Sequence, residues 1–145
     1  IREWCFGSLD GGYDGELFDG VLPRTDAYKG KSAEELTFED IAKGLLEVDT
    51  AGWAEPWEVL SKRILDGFFD AAKKAEANGA ENIVIVSHGM TIATFIKLLD
   101  SRRPKFQGLD NGSVTHLTYS DGNFSIGEIG DMSYRELGRE ILNAE

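Results

Sequence analysis

The sequence feature that most restricts the fold is a run of four β-branched residues at 83–86, Ile-Val-Ile-Val, between two helical patterns. A short run without any polar residue is typical of a strand that is buried on both faces of a parallel sheet. Ser87-His88-Gly89 follows the run directly, and a helical pattern follows Gly89. This order of helix, buried strand, tight turn and helix predicts an α/β fold.

Apolar residues recur at helical spacing in three parts of the chain, two of which flank residues 83–86. They predict a helix near residues 38–46, a longer one from Pro56 to a left-handed cap at Asn78-Gly79, and a third over 92–99. Three Ser/Thr residues also precede an acidic residue by three positions, which marks helix starts. The pairs are Ser32 with Glu35, Thr37 with Asp40, and Ser133 with Glu136, the last opening a helix over 134–143.

Two segments after the third helix predict strands, at 111–119 and 123–129. Asp121-Gly122 between them is a strong two-residue hairpin signal. Residues 7–20, by contrast, are rich in glycine and aspartate and predict an irregular loop. Neither GxGxxG nor GK[ST] occurs there, so the loop lacks the motifs of nucleotide-binding sites.

Composition narrows the classes of partner. The net charge of −11 disfavours nucleic acid and anionic membranes as partners. No run of about 20 apolar residues is present, so no transmembrane helix is predicted. Cys5 is the only cysteine; a disulfide within the chain is excluded, and a reducing, cytoplasmic location is expected. The two histidines lack the spacing of a zinc site, and His116 is expected to have a structural or surface role.

His88 is the strongest candidate for chemistry. Ligands of open α/β sheets bind at the carboxyl ends of strands, and His88 lies there, at the start of the third helix. The unpaired N–H groups of Gly89, Met90 and Thr91 and the helix dipole would favour an anion beside its ring. From the residues alone, His88 could equally cap the helix or pack at the sheet edge.

Three segments, in the correct order, resemble the histidine phosphatase superfamily, which is phosphoglycerate-mutase-like. Val86-Ser87-His88-Gly89 is similar to its V-S-H-G motif, which carries the second active-site histidine. Residues 1–11 are similar to its L-x-E-x-x-F-G-x-x-E-G segment, with Glu3 as the acidic residue. Residues 111–115, the Asp-Gly hairpin and Ile129-Gly130-Asp131 resemble its last strands.

The resemblance implies a three-layer sandwich with a mostly parallel central sheet between helices. Residues 1–145 would form a single domain, with 20–58 as a helical cap or insert. The family's nucleophilic histidine lies in an R-H-G motif on the first strand, which is absent here. The fold is therefore expected to be incomplete at the N-terminus, and the strand at 83–86 would expose an unpaired edge and an apolar flank.

The resemblance also implies a mechanism and a set of site residues. The complete domain would hydrolyse a small phosphorylated substrate through a phosphohistidine, with His88 and Glu3 as catalytic residues. Gly89, Met90 and Arg24 would bind the substrate, and neither a metal nor another cofactor is implied. Whether the protein forms a homodimer stays open.

Several alternatives also stay open. A mutase that handles an acidic sugar phosphate would need several cations near the opening of the site. The basic residues expected there are few, namely Arg24, Lys29 and Lys31, so a phosphatase is favoured over a mutase. Trp53 and Trp57 are expected to pack in the core rather than line a pocket. A non-catalytic phosphate-binding member without the nucleophile, or another α/β fold with a coincidental S-H-G turn, would also explain parts of the pattern.

Overall fold

The computed structural model describes residues 1–103 and 108–144 of the 145-residue chain. The described residues contain four α-helices and a two-stranded antiparallel sheet, together with short helical turns near the N-terminus. The elements are α1 (Phe38–Val48), α2 (Trp57–Ala77), α3 (Gly89–Leu99), β1 (Leu117–Ser120), β2 (Asn123–Ile126) and α4 (Ser133–Asn143). None of these helices combines the length and the apolar character that crossing a membrane requires.

The two expected starts before α1 behave differently. Thr37 and Asp40 form a complete capping box, in which Asp40 N–H donates to Thr37 Oγ1 at 3.2 Å and Thr37 N–H donates to Asp40 Oδ2 at 3.0 Å. Ser32 N–H also donates to Glu35, at 2.8 Å, but only a turn follows it. The prediction of a helix start at Ser32 is wrong, because the same side-chain contact also closes an isolated turn.

Helix α2 has nearly the predicted limits. Pro56 is its N-cap rather than its first residue, and the chain leaves the helix through Asn78 and Gly79, which has φ of +70°. The residues that α2 buries recur at every fourth position: Leu60, Ile64, Phe68 and Ala72. Val59, one position before Leu60, is 53% exposed and lies outside this buried row.

An aromatic cluster joins α2, α3 and the hairpin. Phe95 is fully buried and its ring stacks on Phe68 with centroids 4.1 Å apart. Phe124 of β2 meets Phe95 edge-on at 5.2 Å, and Phe69 meets Phe124 at 5.0 Å. Such pairs add to the free energy of burying the rings. This part of the core therefore lies between α2, α3 and the hairpin, and it continues into buried residues of α1 and the N-terminal segment.

The segment 83–86 is not the buried strand that its composition predicts. It has no regular secondary structure, and Val84 and Val86 are 91% and 88% exposed. No strand within residues 1–103 and 108–144 pairs with it. A β-branched run forms a strand only where a neighbouring strand supplies hydrogen-bond partners. The three-layer parallel sheet that the resemblance implies is not seen in residues 1–103 and 108–144, where the two paired strands are antiparallel.

The hairpin is shorter than predicted but has the predicted turn. β1 and β2 pair from Leu117 with Ile126 to Ser120 with Asn123, and a single bridge continues the ladder between Val114 and Asp131. Asp121 and Gly122 have φ of +50° and +76°. Positive φ at both central residues is typical of the type I′ turn, whose twist matches that of the strands.

Helix α4 begins without the predicted capping box. Its N-cap is Met132, with no side-chain cap, and Ser133 N–H donates instead to Asp131 Oδ1 at 2.8 Å. The helix buries none of its residues. Its large apolar side chains are between 54% and 75% exposed: Tyr134, Leu137, Ile141 and Leu142.

Residues 7–20 are more ordered than the predicted loop. The segment contains a 3-10 turn at Gly7–Leu9 and most of a π-helical turn at Glu16–Val21, and a further 3-10 turn follows at Leu22–Arg24. Leu17 and Leu22 are buried. Glycine content alone predicts the backbone freedom of this segment, but its leucines decide that it packs on the core.

Asp49 at the end of α1 ties the Gly7–Leu9 turn to the loop before α2. Its carboxylate accepts four backbone N–H bonds of 2.5–2.8 Å from Ser8, Ala51, Trp53 and Ala54. Gly7 has φ of +63°, and a Cβ built there would lie 2.3 Å from Asp49 Cγ. Only glycine therefore fits beside this carboxylate.

Gly7→Ala should destabilise the fold by more than the ordinary cost of a left-handed residue, about 1–2 kcal/mol, because the methyl group also overlaps the Asp49 carboxylate. Gly11→Ala is the matched control, since Gly11 has φ of +82° but a Cβ there meets nothing within 4 Å. Urea unfolding of both variants measures the difference. Equal losses of unfolding free energy would contradict the packing argument.

Asp49 should also make stability depend on pH. The amide of Ala54 and the three other amides hold its pKa below the ordinary range, against an opposing effect of desolvation. Its contribution is therefore complete above the unfolded-state pKa of about 3.9 and is lost as pH falls toward the lowered value. The stability difference between wild type and Asp49→Asn should shrink below about pH 4 in urea unfolding, and a difference that stays constant would contradict this.

Candidate functional site

The side chain of Glu3 lies at the N-terminus of α3. Its carboxylate accepts hydrogen bonds from the backbone N–H of Met90 at 3.2 Å and of Thr91 at 2.9 Å. Thr91 Oγ1 is 2.8 Å from the same carboxylate. The sequence places Glu3 and Met90 at opposite ends of the first 90 residues, and the fold brings them into direct contact.

This contact has a simple electrostatic cause. The first N–H groups of a helix lack intrahelical acceptors, and the helix dipole places partial positive charge beside them. A carboxylate satisfies both. The prediction that the amides of Gly89, Met90 and Thr91 are jointly free for a ligand is therefore wrong for two of the three. Of these three amides, only the Gly89 N–H has no acceptor in the described part of the chain.

Backbone carbonyls of the first two residues form hydrogen bonds with side chains at the same helix start. Ser87 Oγ lies 3.2 Å from the carbonyl of Ile1, and Thr91 Oγ1 lies 3.0 Å from the carbonyl of Arg2. Because the Thr91 hydroxyl has one proton, it can donate either to Arg2 or to Glu3. Either arrangement holds Glu3 against α3.

Trp4 anchors this segment in the core. It is 3% exposed, and its indole N–H donates to Thr94 Oγ1 at 3.1 Å, while the Thr94 hydroxyl donates to the carbonyl of Met90 at 2.7 Å. Its ring also lies 5.9 Å from Phe38 and 6.3 Å from Trp57. Since Trp4 directly follows Glu3, its burial restricts where the Glu3 carboxylate can lie.

His88 is the N-cap residue of α3 and has an extended backbone, with φ of −121° and ψ of 158°. Its side chain makes no capping hydrogen bond, and the residue is exposed. His88 thus occupies the capping position, but its side chain forms no capping hydrogen bond and is not packed in the core. The imidazole stands at the helix start, two residues before the first amide that Glu3 accepts.

The space around this helix start is open. A Cβ built on Gly89 would meet nothing within 4 Å, so a ligand can approach its backbone closely. An exposed imidazole, a free amide and a carboxylate are thus gathered at one helix end. These are groups that can hold an oxyanion and exchange a proton with it.

Other predicted site residues are not part of this cluster. Arg24 is exposed at the end of the Leu22–Arg24 turn and forms no hydrogen bond or ion pair within the described residues. Lys31 pairs with Asp40 at 2.5 Å and Lys29 lies 3.9 Å from Asp26, so neither is an uncommitted cation.

The remaining expectations have mixed outcomes. Trp53 is 65% exposed rather than packed in the core, whereas Trp57 is partly buried against it. His116 Nε2 lies 3.6 Å from Asp131 Oδ2, in keeping with a structural role. In residues 1–103 and 108–144, no group of three or more acidic, histidine or cysteine side chains could hold a metal ion.

Sequence reasoning missed the residues that hold Glu3 in place. Trp4 and Thr94 carry no motif, and only their burial reveals them. Glu55 and Arg63 form a bidentate ion pair with bonds of 2.9 and 2.6 Å. They are eight positions apart, and Glu55 precedes α2, so the usual helical spacing of ion pairs does not indicate them.

This arrangement of residues is accompanied by a match over most of the chain. The model of the histidine phosphatase superfamily (branch 1) matches residues 1–132. The chain therefore belongs to the histidine phosphatase superfamily, as the V-S-H-G and Glu3 segments indicate. This superfamily includes phosphatases and mutases.

A solved structure with a similar fold is the phosphoglycerate mutase from Bacillus anthracis str. Sterne. The two chains are 32% identical and superpose with a TM-score of 0.82 over 96% of the present chain. The match covers 61% of the mutase, so the present chain spans less than two thirds of its length. A comparison with the curated proteins gave no match. The phosphoglycerate-mutase-like fold is thus confirmed.

Proposed function

We propose that the full-length protein hydrolyses small phosphomonoesters through a phosphohistidine intermediate, with His88 and Glu3 as catalytic residues. The observation that supports this most is the exposed His88 at the N-cap of α3, the helix whose first amides also hold the Glu3 carboxylate. Membership of the superfamily adds to it. A small phosphorylated substrate, rather than nucleic acid or a membrane, and a cytoplasmic location remain part of the proposal.

The proposed reaction has two steps. A nucleophilic histidine attacks phosphorus in line, and the bond from phosphorus to the ester oxygen breaks as Glu3, in its acid form, protonates the departing alkoxide. Water then attacks the phosphohistidine, Glu3 accepts its proton, and phosphate leaves. His88 and the Gly89 N–H stabilise the charge on the transferred group in both steps.

The two oxygens of Glu3 are not equivalent for this role. Oε1 accepts the N–H groups of Trp4 and Thr91 and also contacts the Thr91 hydroxyl. Oε2 accepts only the Met90 N–H, at 3.2 Å. Oε2 therefore has the free capacity to carry the proton, while Oε1 keeps the side chain in place.

A mutase is the second candidate, favoured by the mutase structure that the chain resembles. A mutase must hold a phosphorylated acid while phosphate is transferred and returned, and that requires cations near the histidine. Lys31 is paired with Asp40, and Arg24 makes no contact with the cluster. This scarcity of free cations favours hydrolysis. Arg24 and the backbone N–H of Gly89 are the proposed substrate-binding groups, because the Met90 N–H already donates to Glu3.

A phosphate-binding protein without catalysis is the third candidate, since the 145 residues contain no R-H-G motif. The coding sequence upstream of Ile1 distinguishes the two cases, because an in-frame R-H-G would supply the nucleophile. An acid-labile phosphohistidine trapped on the full-length protein would support the enzyme. Tight phosphate binding without any such adduct would support the binding protein.

His88→Ala in the full-length protein should lower kcat/KM for a phosphomonoester by about 10²–10³-fold, the usual effect of removing one donor to a developing oxyanion. His116→Ala is the matched control, because His116 is the other histidine and contacts Asp131 instead. Steady-state kinetics on both variants decide the role. A His88 variant within about threefold of wild type would show that His88 is not catalytic.

Glu3→Gln should slow alkyl phosphates, which have poor leaving groups, by about 10²-fold or more relative to p-nitrophenyl phosphate, whose leaving group needs no proton. Glu47→Gln is the control, because the Glu47 carboxylate likewise accepts two backbone amides, from Asp26 and Ala27, at 2.6 and 2.8 Å. The ratio of kcat/KM for the two substrates is measured. If Glu3→Gln slows both equally, Glu3 does not donate the proton.

A further inference from the structure

Arg63 of α2 contacts both Glu55 and the backbone of the segment that carries Glu3. Its guanidinium is fixed by Glu55, with Nε donating to Oε1 at 2.9 Å and Nη2 donating to Oε2 at 2.6 Å. The side chains are 22% and 11% exposed. A bidentate pair of this kind restricts the planar guanidinium to one orientation.

The remaining donors of the same guanidinium reach the segment that carries Glu3. Nη1 donates to the carbonyl of Arg2 at 3.1 Å, and Nη2 also lies 3.2 Å from the carbonyl of Glu3. Arg2 in turn donates from Nη2 to Glu55 Oε1 at 2.8 Å. Glu55, Arg63 and the Arg2-Glu3 backbone therefore form a closed set of charge-assisted contacts.

Glu3 is thus held from two directions. Its carboxylate is bound by the N-terminal amides of α3, and its own carbonyl is bound by Arg63 of α2. A carboxylate at a helix start can also rotate or withdraw into water, because its hydrogen bonds to water are nearly as favourable. The bond from Arg63 to the Glu3 carbonyl restricts such movement of the backbone. The carboxylate can then move only by rotation about the side-chain torsions.

We propose that Arg63, oriented by Glu55, is a positioning residue that sets the place of the Glu3 carboxylate at the start of α3. The catalytic consequence rests on the proposed function, in which Glu3 transfers the proton. Arg63 contacts Glu55 and the Arg2 and Glu3 carbonyls and takes no part in the chemical step itself. It acts through the backbone of Glu3, and its loss lets the carboxylate shift from the position that proton transfer requires.

The test compares Arg63→Met with Lys62→Met in the full-length protein. Lys62 is the neighbouring residue on α2 and forms an exposed ion pair with Asp66, away from Glu3. The first readout is the amide chemical shifts of Met90 and Thr91 in NMR spectra, because both amides donate to Glu3. Arg63→Met should move both in the direction that Glu3→Gln moves them, and Lys62→Met should leave both unchanged.

The second readout is kinetic. Arg63→Met should lower kcat/KM for an alkyl phosphate at least about tenfold more than for p-nitrophenyl phosphate, since displacements of about 1 Å cost up to 10²-fold in rate. A general loss of stability would slow both substrates alike. Arg63→Lys keeps the charge without the planar fork, so it should give an intermediate ratio.

The outcomes separate the two proposals. Unchanged Met90 and Thr91 amides in a folded Arg63→Met protein overturn the positioning role, whatever the kinetics. Shifted amides with an unchanged substrate ratio, while Glu3→Gln changes that ratio, also overturn it. If Glu3→Gln leaves the ratio unchanged, the proposed function fails, and the amide shifts alone decide whether Arg63 positions the carboxylate.

A second variant covers the case in which Arg63→Met does not fold. Glu55→Gln leaves Arg63 in place but replaces the ionised, bidentate acceptor by a neutral amide with a single oxygen. It should shift the same two amides in the same direction by a smaller amount. Wild-type amide positions in folded Glu55→Gln would overturn the role of the pair.

Discussion

The contact between the Glu3 carboxylate and the first amides of α3 is the interaction on which the site depends. A helix start presents unpaired N–H groups and partial positive charge, and an anion placed there satisfies both. In this protein the anion is a side chain from the beginning of the chain. Its presence leaves the His88 ring and the Gly89 N–H as the groups that are free to meet a ligand.

The same contact explains why the site is assembled from distant parts of the sequence. Trp4, the residue after Glu3, is buried in the core, and Arg63, which is paired with Glu55, binds the backbone carbonyl of Glu3. The helix start itself is held by the packing of Phe95 on Phe68. The carboxylate at position 3 is thus located by the contacts that its segment makes with α2 and α3, elements that lie more than 50 residues away in the sequence.

Charge in this protein is distributed in a way that suits a local anion site. The chain carries a net charge of −11, which opposes any extended anionic partner. Positive potential is nevertheless concentrated by the α3 N-terminus, and several basic side chains are committed to carboxylates: Lys31 to Asp40, Lys62 to Asp66 and Arg63 to Glu55. Because Glu3 already occupies the Met90 and Thr91 amides, the groups left for a small oxyanion at this helix start are the Gly89 N–H and the His88 ring.

The sequence by itself determined the elements whose causes are local. The Thr37 capping box, the Asn78-Gly79 cap of α2 and the Asp121-Gly122 turn all depend on side-chain contacts or φ preferences within a few residues, so their patterns are readable directly. The V-S-H-G and Glu3 segments likewise indicated the family, because each motif is a short run of residues that can be recognised directly in the sequence. Only the tertiary structure decided that segment 83–86 stays unpaired and that the Met90 and Thr91 amides are occupied by Glu3. It also revealed that Trp4 is buried beside Glu3 and that Arg63 binds the Glu3 backbone. Strand pairing, burial and contacts between residues tens of positions apart depend on which surfaces meet, so the sequence does not show them.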